Sequence, residues 1–92
     1  MSVQKQLESI HLEIWNSLPY PGFVLDSNLV IVDVNSASET YCLTSKSRIK
    51  GQKIADFFGE SSFLIRVIRQ TEREKSPVVV HNIDIYWVSR KV

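Results

Sequence analysis

Two short apolar runs separated by a polar turn form the most regular pattern of this chain. Residues 22–25 are typical of one strand, residues 26–28 of a turn, and residues 29–34, which are mostly β-branched, of a second strand. This arrangement predicts a β-hairpin. Alternate positions of the second strand are apolar on both of its faces, so we expect that strand to be covered on both sides.

Three short helices are predicted after the hairpin. The first, residues 36–43, begins with a possible capping box, in which Ser36 accepts from the Glu39 amide and the Glu39 carboxylate accepts from Ser36. The second and third, residues 44–50 and 54–58, are each followed by glycine. Such short, glycine-terminated pieces favour a wall over a sheet instead of a helix bundle.

An amphipathic helix is predicted over residues 2–18. Its apolar positions follow a heptad-like spacing and are Val3, Leu7, Ile10 and Ile14. Two heptads are too few to hold a coiled coil alone. Two arrangements therefore remain open: the helix packs on its own domain, or it pairs with its copy in a dimer. Pro19 and Pro21 end the helix.

The C-terminal part combines a longer helix with a strongly β-prone segment. The helix begins at Ser61 or Ser62, either of which can cap it, and carries an apolar stripe along one face. After Pro77, residues 78–88 are rich in valine, isoleucine and aromatic residues. Two interpretations are open: residues 81–82 turn a hairpin, or the strand is continuous.

Five separated residues stand in an order that is typical of one family. They are Asp26 before the hairpin turn, Asn35 after the second strand, Ala37 and Glu39 on the first short helix, and Gly51. This order resembles the front half of a PAS domain, and the resemblance covers roughly residues 10–88. Residues 14–21 are similar to the "L-x-x-L-P-x-P" segment that begins the PAS domain of NtrB-type nitrogen-regulation sensor histidine kinases.

The resemblance implies an α+β fold, with a PAS-like antiparallel sheet covered on one face by short helices. We divide the chain into a dimerisation and signalling helix, residues 1–18, and a PAS domain, residues 19–92. A PAS sheet has five antiparallel strands, yet the four residues after 88 are too few to make two further strands. We therefore expect a domain that is truncated at its C-terminus, with one or two strands missing and an exposed sheet edge.

Composition narrows the classes of partner. A chain of 92 residues makes one domain at most. Its 11 Lys and Arg residues nearly balance its 10 Asp and Glu residues, so nucleic acids and membrane surfaces are not expected partners. With a single Cys, no signal peptide and no apolar run long enough for a bilayer span, the chain is predicted to be cytoplasmic.

No sequence motif of an enzyme is visible, so we predict no catalytic residue and no metal site. Phosphate-binding glycine motifs, the H-E-x-x-H motif and the G-x-S-x-G motif are missing from the sequence. His11, His81 and Cys42 are too few and too dispersed for a zinc site. If the parent protein is a histidine kinase, its phosphotransfer chemistry belongs to a catalytic core outside these residues.

The PAS resemblance also implies a possible pocket between the sheet and the short helices. Haem-binding members use a His on the long helix, and flavin photosensors place a Cys within G-x-N-C-R-F-L-Q; neither feature is found in this sequence, so we predict no cofactor. The expected lining is apolar, and such a set more often fills its own core than holds a ligand. Its members are Ile31, Tyr41, Ile54, Phe57, Phe58, Phe63, Val67 and Val79.

The sequence is thus interpreted as a sensory PAS module of a cytoplasmic two-component sensor histidine kinase similar to NtrB. It would form a homodimer and pass a protein or small-molecule signal to the kinase core of its parent. A PII-type signalling protein is a partner implied by the resemblance. Two alternatives stay open: a ligand-binding PAS sensor of a transcription regulator or cyclic-dinucleotide enzyme, and a stand-alone dimerisation protein.

Overall fold

Helices and strands alternate along the chain in an α+β order. The computed structural model describes residues 3–74, 76–80 and 82–88, with side chains from residue 9 onward. The elements are α1 (Val3–Ser17), β1 (Gly22–Leu25), β2 (Ile31–Val34), α2 (Ser36–Cys42), α3 (Lys46–Ile49), α4 (Ala55–Phe58), α5 (Phe63–Glu72), β3 (Val78–Val80) and β4 (Ile83–Trp87). The predicted fold class is confirmed.

The four described strands form one sheet in the order β2-β1-β4-β3. β1 and β2 are antiparallel, as are β3 and β4, whereas β1 and β4 are parallel, with Val24 beside Tyr86. The sheet is therefore mixed, not antiparallel throughout as expected. β4 returns from β3 in a hairpin and lies beside β1 in the same direction, which sets the parallel pair in the centre of the sheet.

The predicted hairpin between β1 and β2 is confirmed, and a buried carboxylate organises its turn. Asp26 is 5% exposed, and its Oδ1 accepts from the backbone N–H groups of Asn28 at 2.9 Å and Val30 at 3.1 Å. β2 begins at Ile31, later than predicted, because Leu29 adopts a left-handed backbone with φ of 62°. Asp26 thus stabilises the loop between β1 and β2, which is longer than predicted.

The cap of α2 lies one residue earlier than predicted. Asn35 has an extended backbone, and its side chain accepts from the Ser38 N–H at 3.1 Å. The Glu39 carboxylate instead accepts from the Lys46 N–H at 2.8 Å, at the start of α3. The predicted capping box between Ser36 and Glu39 is therefore wrong, because Ser36 already lies inside the helix.

The later helices follow the sequence pattern closely. α3 and α4 are single-turn pieces, and Gly51 and Gly59 after them have φ of 90° and 85°. Ser62 caps α5 by accepting from the Ile65 N–H at 3.2 Å, which decides between the two predicted caps. The β-prone segment forms two strands, so the hairpin interpretation is confirmed; His81 itself lies outside the described residues.

The core lies between one face of the sheet and the helices α3 to α5. Alternate residues of the strands point into it, and the apolar stripe of α5 covers them. The fully buried apolar residues are Phe23, Leu25, Ile31, Val34, Ile49, Ile54, Ile65, Ile68 and Ile85. We call the opposite side of the sheet, which carries Val24 and Tyr86, the outer face; α1 crosses it.

Replacing Leu43 with glycine should stabilise the fold. Leu43 caps the C-terminus of α2 in a left-handed backbone with φ of 58°, and its side chain is 88% exposed. That backbone costs an L-residue about 1–2 kcal/mol, and glycine's greater unfolded-state entropy offsets part of the gain. We expect Leu43→Gly to raise the free energy of unfolding by about 0.5–1 kcal/mol in denaturant titration. Leu43→Ala should leave it nearly unchanged, and a Gly variant that loses stability would contradict this account.

Candidate functional site

An aromatic residue, Trp15, packs α1 against the outer face. The Trp15 ring meets the Tyr86 ring edge-on, with 5.7 Å between centroids and 73° between planes. A Cβ built on Gly22 would lie 2.7 and 2.8 Å from two carbon atoms of the Trp15 ring. The indole therefore packs directly on the backbone of β1, and no residue larger than glycine fits beneath it without a shift.

Open space remains beside this contact. A cavity of about 390 Å³, which we call the outer cleft, lies between α1 and the sheet. A second cavity, of about 310 Å³, also borders His11 and Trp15 and reaches Asp33 of β2. The residues that line the outer cleft are His11, Ile14, Trp15, Leu18, Val24 and Tyr86. α1 thus covers the outer face only in part.

The Trp15 contact carries an energetic penalty. Its indole Nε1 is buried, and no acceptor for it is found among the described residues. A buried donor without a partner costs about 1–3 kcal/mol, which offsets part of what ring burial contributes. α1 is therefore held less firmly than the size of the indole suggests.

A buried asparagine connects the strand, the helix and the segment that leads out of α1. Asn35 is 1% exposed, and its Oδ1 accepts from the Gly22 N–H at 2.9 Å and the Ser38 N–H at 3.1 Å. Its Nδ2 donates to the Tyr20 carbonyl at 3.1 Å. The fully buried Ser38 hydroxyl lies 2.7 Å from the Gly22 carbonyl oxygen. We call these contacts the Asn35 network.

Two carboxylates give the outer face its charge. Tyr86 donates to Asp84 Oδ2 at 3.4 Å. Burial, with the charge and hydrogen bond of Asp84 as further causes, raises the pKa of Tyr86 above its ordinary value of 10.0. Asp33 pairs with Lys46 Nζ at 2.9 Å. Because both side chains of that pair are about one-third exposed, it adds little to stability.

The residues predicted to line a pocket on the core side differ in their burial. Two are fully buried, three are half-buried against the core, and three are exposed. In that order they are Ile31 and Ile54; Phe57, Phe58 and Val67; and Tyr41, Phe63 and Val79. The two cavities described above lie on the other face of the sheet.

Some of these residues do meet. Tyr41 stacks on Phe58 with 5.7 Å between ring centroids, and Phe58 meets Phe23 of the core edge-on at the same distance. Val79 lies apart from them, because it pairs with Asp84 and its side chain shares the outer face. These two ring contacts therefore link the exposed Tyr41 of α2 to the core.

The predicted dimer seam on α1 is described in part. Ile10 is 51% exposed and Ile14 is 56% exposed, one helical turn apart on the same side. The side chains of Val3 and Leu7 lie outside the described residues. The exposed part of the seam is thus available for contact, and Ile14 also borders the outer cleft.

Sequence reasoning misses the residues that hold α1 in place. Trp15 follows the seam residue Ile14 but lies outside the heptad-like spacing, and Tyr86 stands out only as part of a β-prone segment. The available signal is Gly22 at the start of a strand, since glycine there marks a close approach of another group. Spacing alone does not identify its partner.

Part of this chain is similar in sequence to a curated protein. "Sensory histidine kinase/phosphatase NtrB" of Rhodobacter capsulatus is 31% identical over 72 residues, which is 78% of this chain. The chain is similar to part of a sensor histidine kinase. It spans 20% of NtrB, so the similarity concerns one region of that protein.

Other comparisons add no further relative. No protein-family model matches the chain, and no solved structure matches it.

Within residues 3–74, 76–80 and 82–88, the helices are too short or too polar to span a bilayer. The NtrB similarity therefore stands beside the α+β fold as the basis for a functional proposal.

Gly22→Ala should weaken the contact between α1 and the sheet. The new Cβ would overlap the Trp15 ring, and overpacking of this kind costs about 1–3 kcal/mol in the free energy of unfolding. A double-mutant cycle with Trp15→Ala, measured by denaturant titration, should show that much of the cost disappears when the ring is removed.

Gly51→Ala is the matched control. Gly51 has φ of 90°, and nothing lies within 4 Å of the point that an added Cβ would occupy, so its cost is backbone strain alone. Trp15→Ala should not change that cost. Equal coupling of both glycines to Trp15 would contradict the proposed contact.

Tyr86 should make the fold sensitive to alkaline pH. The pKa of Tyr86 is higher in the folded chain than in the unfolded chain, where it is about 10. The protonated Tyr86 side chain therefore makes its full contribution to the free energy of unfolding only below that pH. That contribution is lost as the pH rises through the folded pKa. We expect Tyr86→Phe to lose less stability than the unmodified chain over this range, measured by denaturant titration.

Proposed function

We propose that this chain is a sensory and dimerisation PAS module of a two-component sensor histidine kinase. Support comes from the 31% identity to NtrB together with an α+β fold that is compatible with a PAS domain. The observation that carries the proposal is the arrangement of α1. Trp15 packs it against the sheet, while Ile10 and Ile14 of its seam are exposed.

A second copy of the chain is the partner that suits this seam. Ile10 and Ile14 are each about half exposed, and a two-fold axis would bring the same residues of both copies together. The seam is too short for a stable coiled coil by itself. The outer face beside α1, with Val24 and Tyr86, would supply further apolar area.

The module would act without chemistry of its own. In this proposal a signal alters the packing of α1, and the kinase core of the parent responds to that change. A PII-type signalling protein is the partner we propose for the sensing step, by analogy with nitrogen regulation, and the cytoplasm is the proposed location.

Charge substitutions in the seam test the dimer. Ile10→Glu with Ile14→Glu places carboxylates at positions that a dimer would bury, so sedimentation equilibrium should change from a dimer mass to a monomer mass. Phe63→Glu is the matched control, because Phe63 is 57% exposed on α5. An unchanged mass in the double variant would remove the seam from the interface.

Mass spectrometry under non-denaturing conditions separates the proposal from a ligand-binding sensor. The unmodified chain should appear at twice its mass with nothing bound. A retained small molecule would favour the ligand-binding alternative, and a monomer at micromolar concentration would contradict dimerisation.

A further inference from the structure

The two ends of the Asn35 side chain contact different parts of the fold. The two backbone N–H donors of Gly22 and Ser38 identify the side-chain oxygen, because an amino group could not accept from them. The amino end therefore faces the Tyr20 carbonyl. One amide group thus joins the first turn of α2 to the segment that leads out of α1.

The segment that leads out of α1 has a restricted backbone. Pro19 and Pro21 flank Tyr20 and restrict the backbone on both sides of it. A shift of the Tyr20 carbonyl therefore carries the end of α1 with it. Asn16 near that end also contacts α2, through the Ser36 hydroxyl at 3.1 Å from its Oδ1.

Burial makes the Asn35 network an all-or-none arrangement. Asn35 and Ser38 are 1% and 0% exposed, so water cannot replace a lost partner of the Asn35 oxygen without opening the corner, whereas the bond to the Tyr20 carbonyl is only partly buried. If the first turn of α2 moves, Asn35 can follow Ser38 only by straining its bonds to Gly22 of β1 and to the Tyr20 carbonyl. The Trp15 contact, whose buried donor lacks an acceptor among the described residues, is the weaker side.

We propose that Asn35 is a positioning residue that couples the first turn of α2 to the contact of Trp15 with the sheet. Movement of α2 then loosens or tightens α1 through the Tyr20 carbonyl. α2 also carries Tyr41, which stacks on Phe58 next to the core, so packing changes on the core side have a route to the outer face. This inference deepens the proposed function and rests on it for its biological meaning.

Asn35→Asp separates the two halves of the network. A carboxylate keeps an acceptor for the Gly22 and Ser38 N–H groups, but places an oxygen opposite the Tyr20 carbonyl oxygen in place of a donor. The cap of α2 should survive while the link to α1 is lost.

The indole N–H of Trp15 is the measurement. It is buried against the sheet, so its hydrogen exchange, followed by NMR, reports release of α1. We expect Asn35→Asp to speed this exchange on the order of tenfold, the factor that one buried hydrogen bond represents. The Trp87 indole, which donates to the Ser76 carbonyl at 2.9 Å, is the internal control and should not change.

An unchanged exchange rate of the Trp15 indole would overturn the proposal. Equal acceleration of exchange at both indoles would also overturn it, since that result indicates general destabilisation.

A reverse experiment tests the same coupling if Asn35→Asp does not fold. Coupling is reciprocal, so Trp15→Ala should speed exchange of the Ser38 amide by a similar factor and leave α5 amides unchanged. No acceleration at Ser38 would overturn the proposal.

These measurements do not depend on oligomeric state. Carried out in the background of Ile10→Glu alone, once sedimentation shows that variant to be a monomer, they report the coupling within a single copy and leave Ile14 beside the outer cleft unchanged. A monomeric unmodified chain would contradict the proposed dimer and leave the coupling intact, whereas an uncoupled Trp15 would leave the dimer intact.

Discussion

The requirement that a buried amide must keep all its partners governs the corner of this fold. Asn35 directly follows β2 and caps α2. Its side chain also forms hydrogen bonds with Gly22, the first residue of β1, and with the carbonyl of Tyr20. Each of these groups would lose a net contribution of about 1 kcal/mol if its bond were broken, and more where it stayed buried without a partner. The position of α1 and the entry of β1 into the sheet therefore follow from one side chain.

Local chemistry explains why much of the fold could be predicted. The Asp26 turn, the glycines that follow α3 and α4, and the Ser62 cap depend on residues within a few positions of one another. The error at the start of α2 has the same origin. Asn35 and Ser36 are both good capping residues, and only the backbone conformation, set by the end of β2, decides between them.

Long-range pairing explains what could not be predicted. The parallel neighbour of β1 is a strand about sixty residues later in the chain, and nothing in either strand specifies direction. The contact between Trp15 and Gly22 is likewise invisible in the spacing of apolar residues. The predicted pocket set consists of apolar residues near the helices, and periodicity alone could not separate exposed Tyr41 and Phe63 from buried Ile31.

The two faces of the sheet differ in how firmly they are held. On the core side, thirteen buried apolar residues of the described ranges form one continuous cluster. On the outer face, α1 packs through the Trp15 indole, whose N–H has no acceptor among the described residues, beside open space of about 390 Å³. The penalty of that buried donor is comparable to the value of one hydrogen bond, so it offsets part of what burial of the indole ring contributes to holding α1. A continuous core on one side of the sheet, with open space beside α1 on the other, allows the outer surface to change without unfolding of the core.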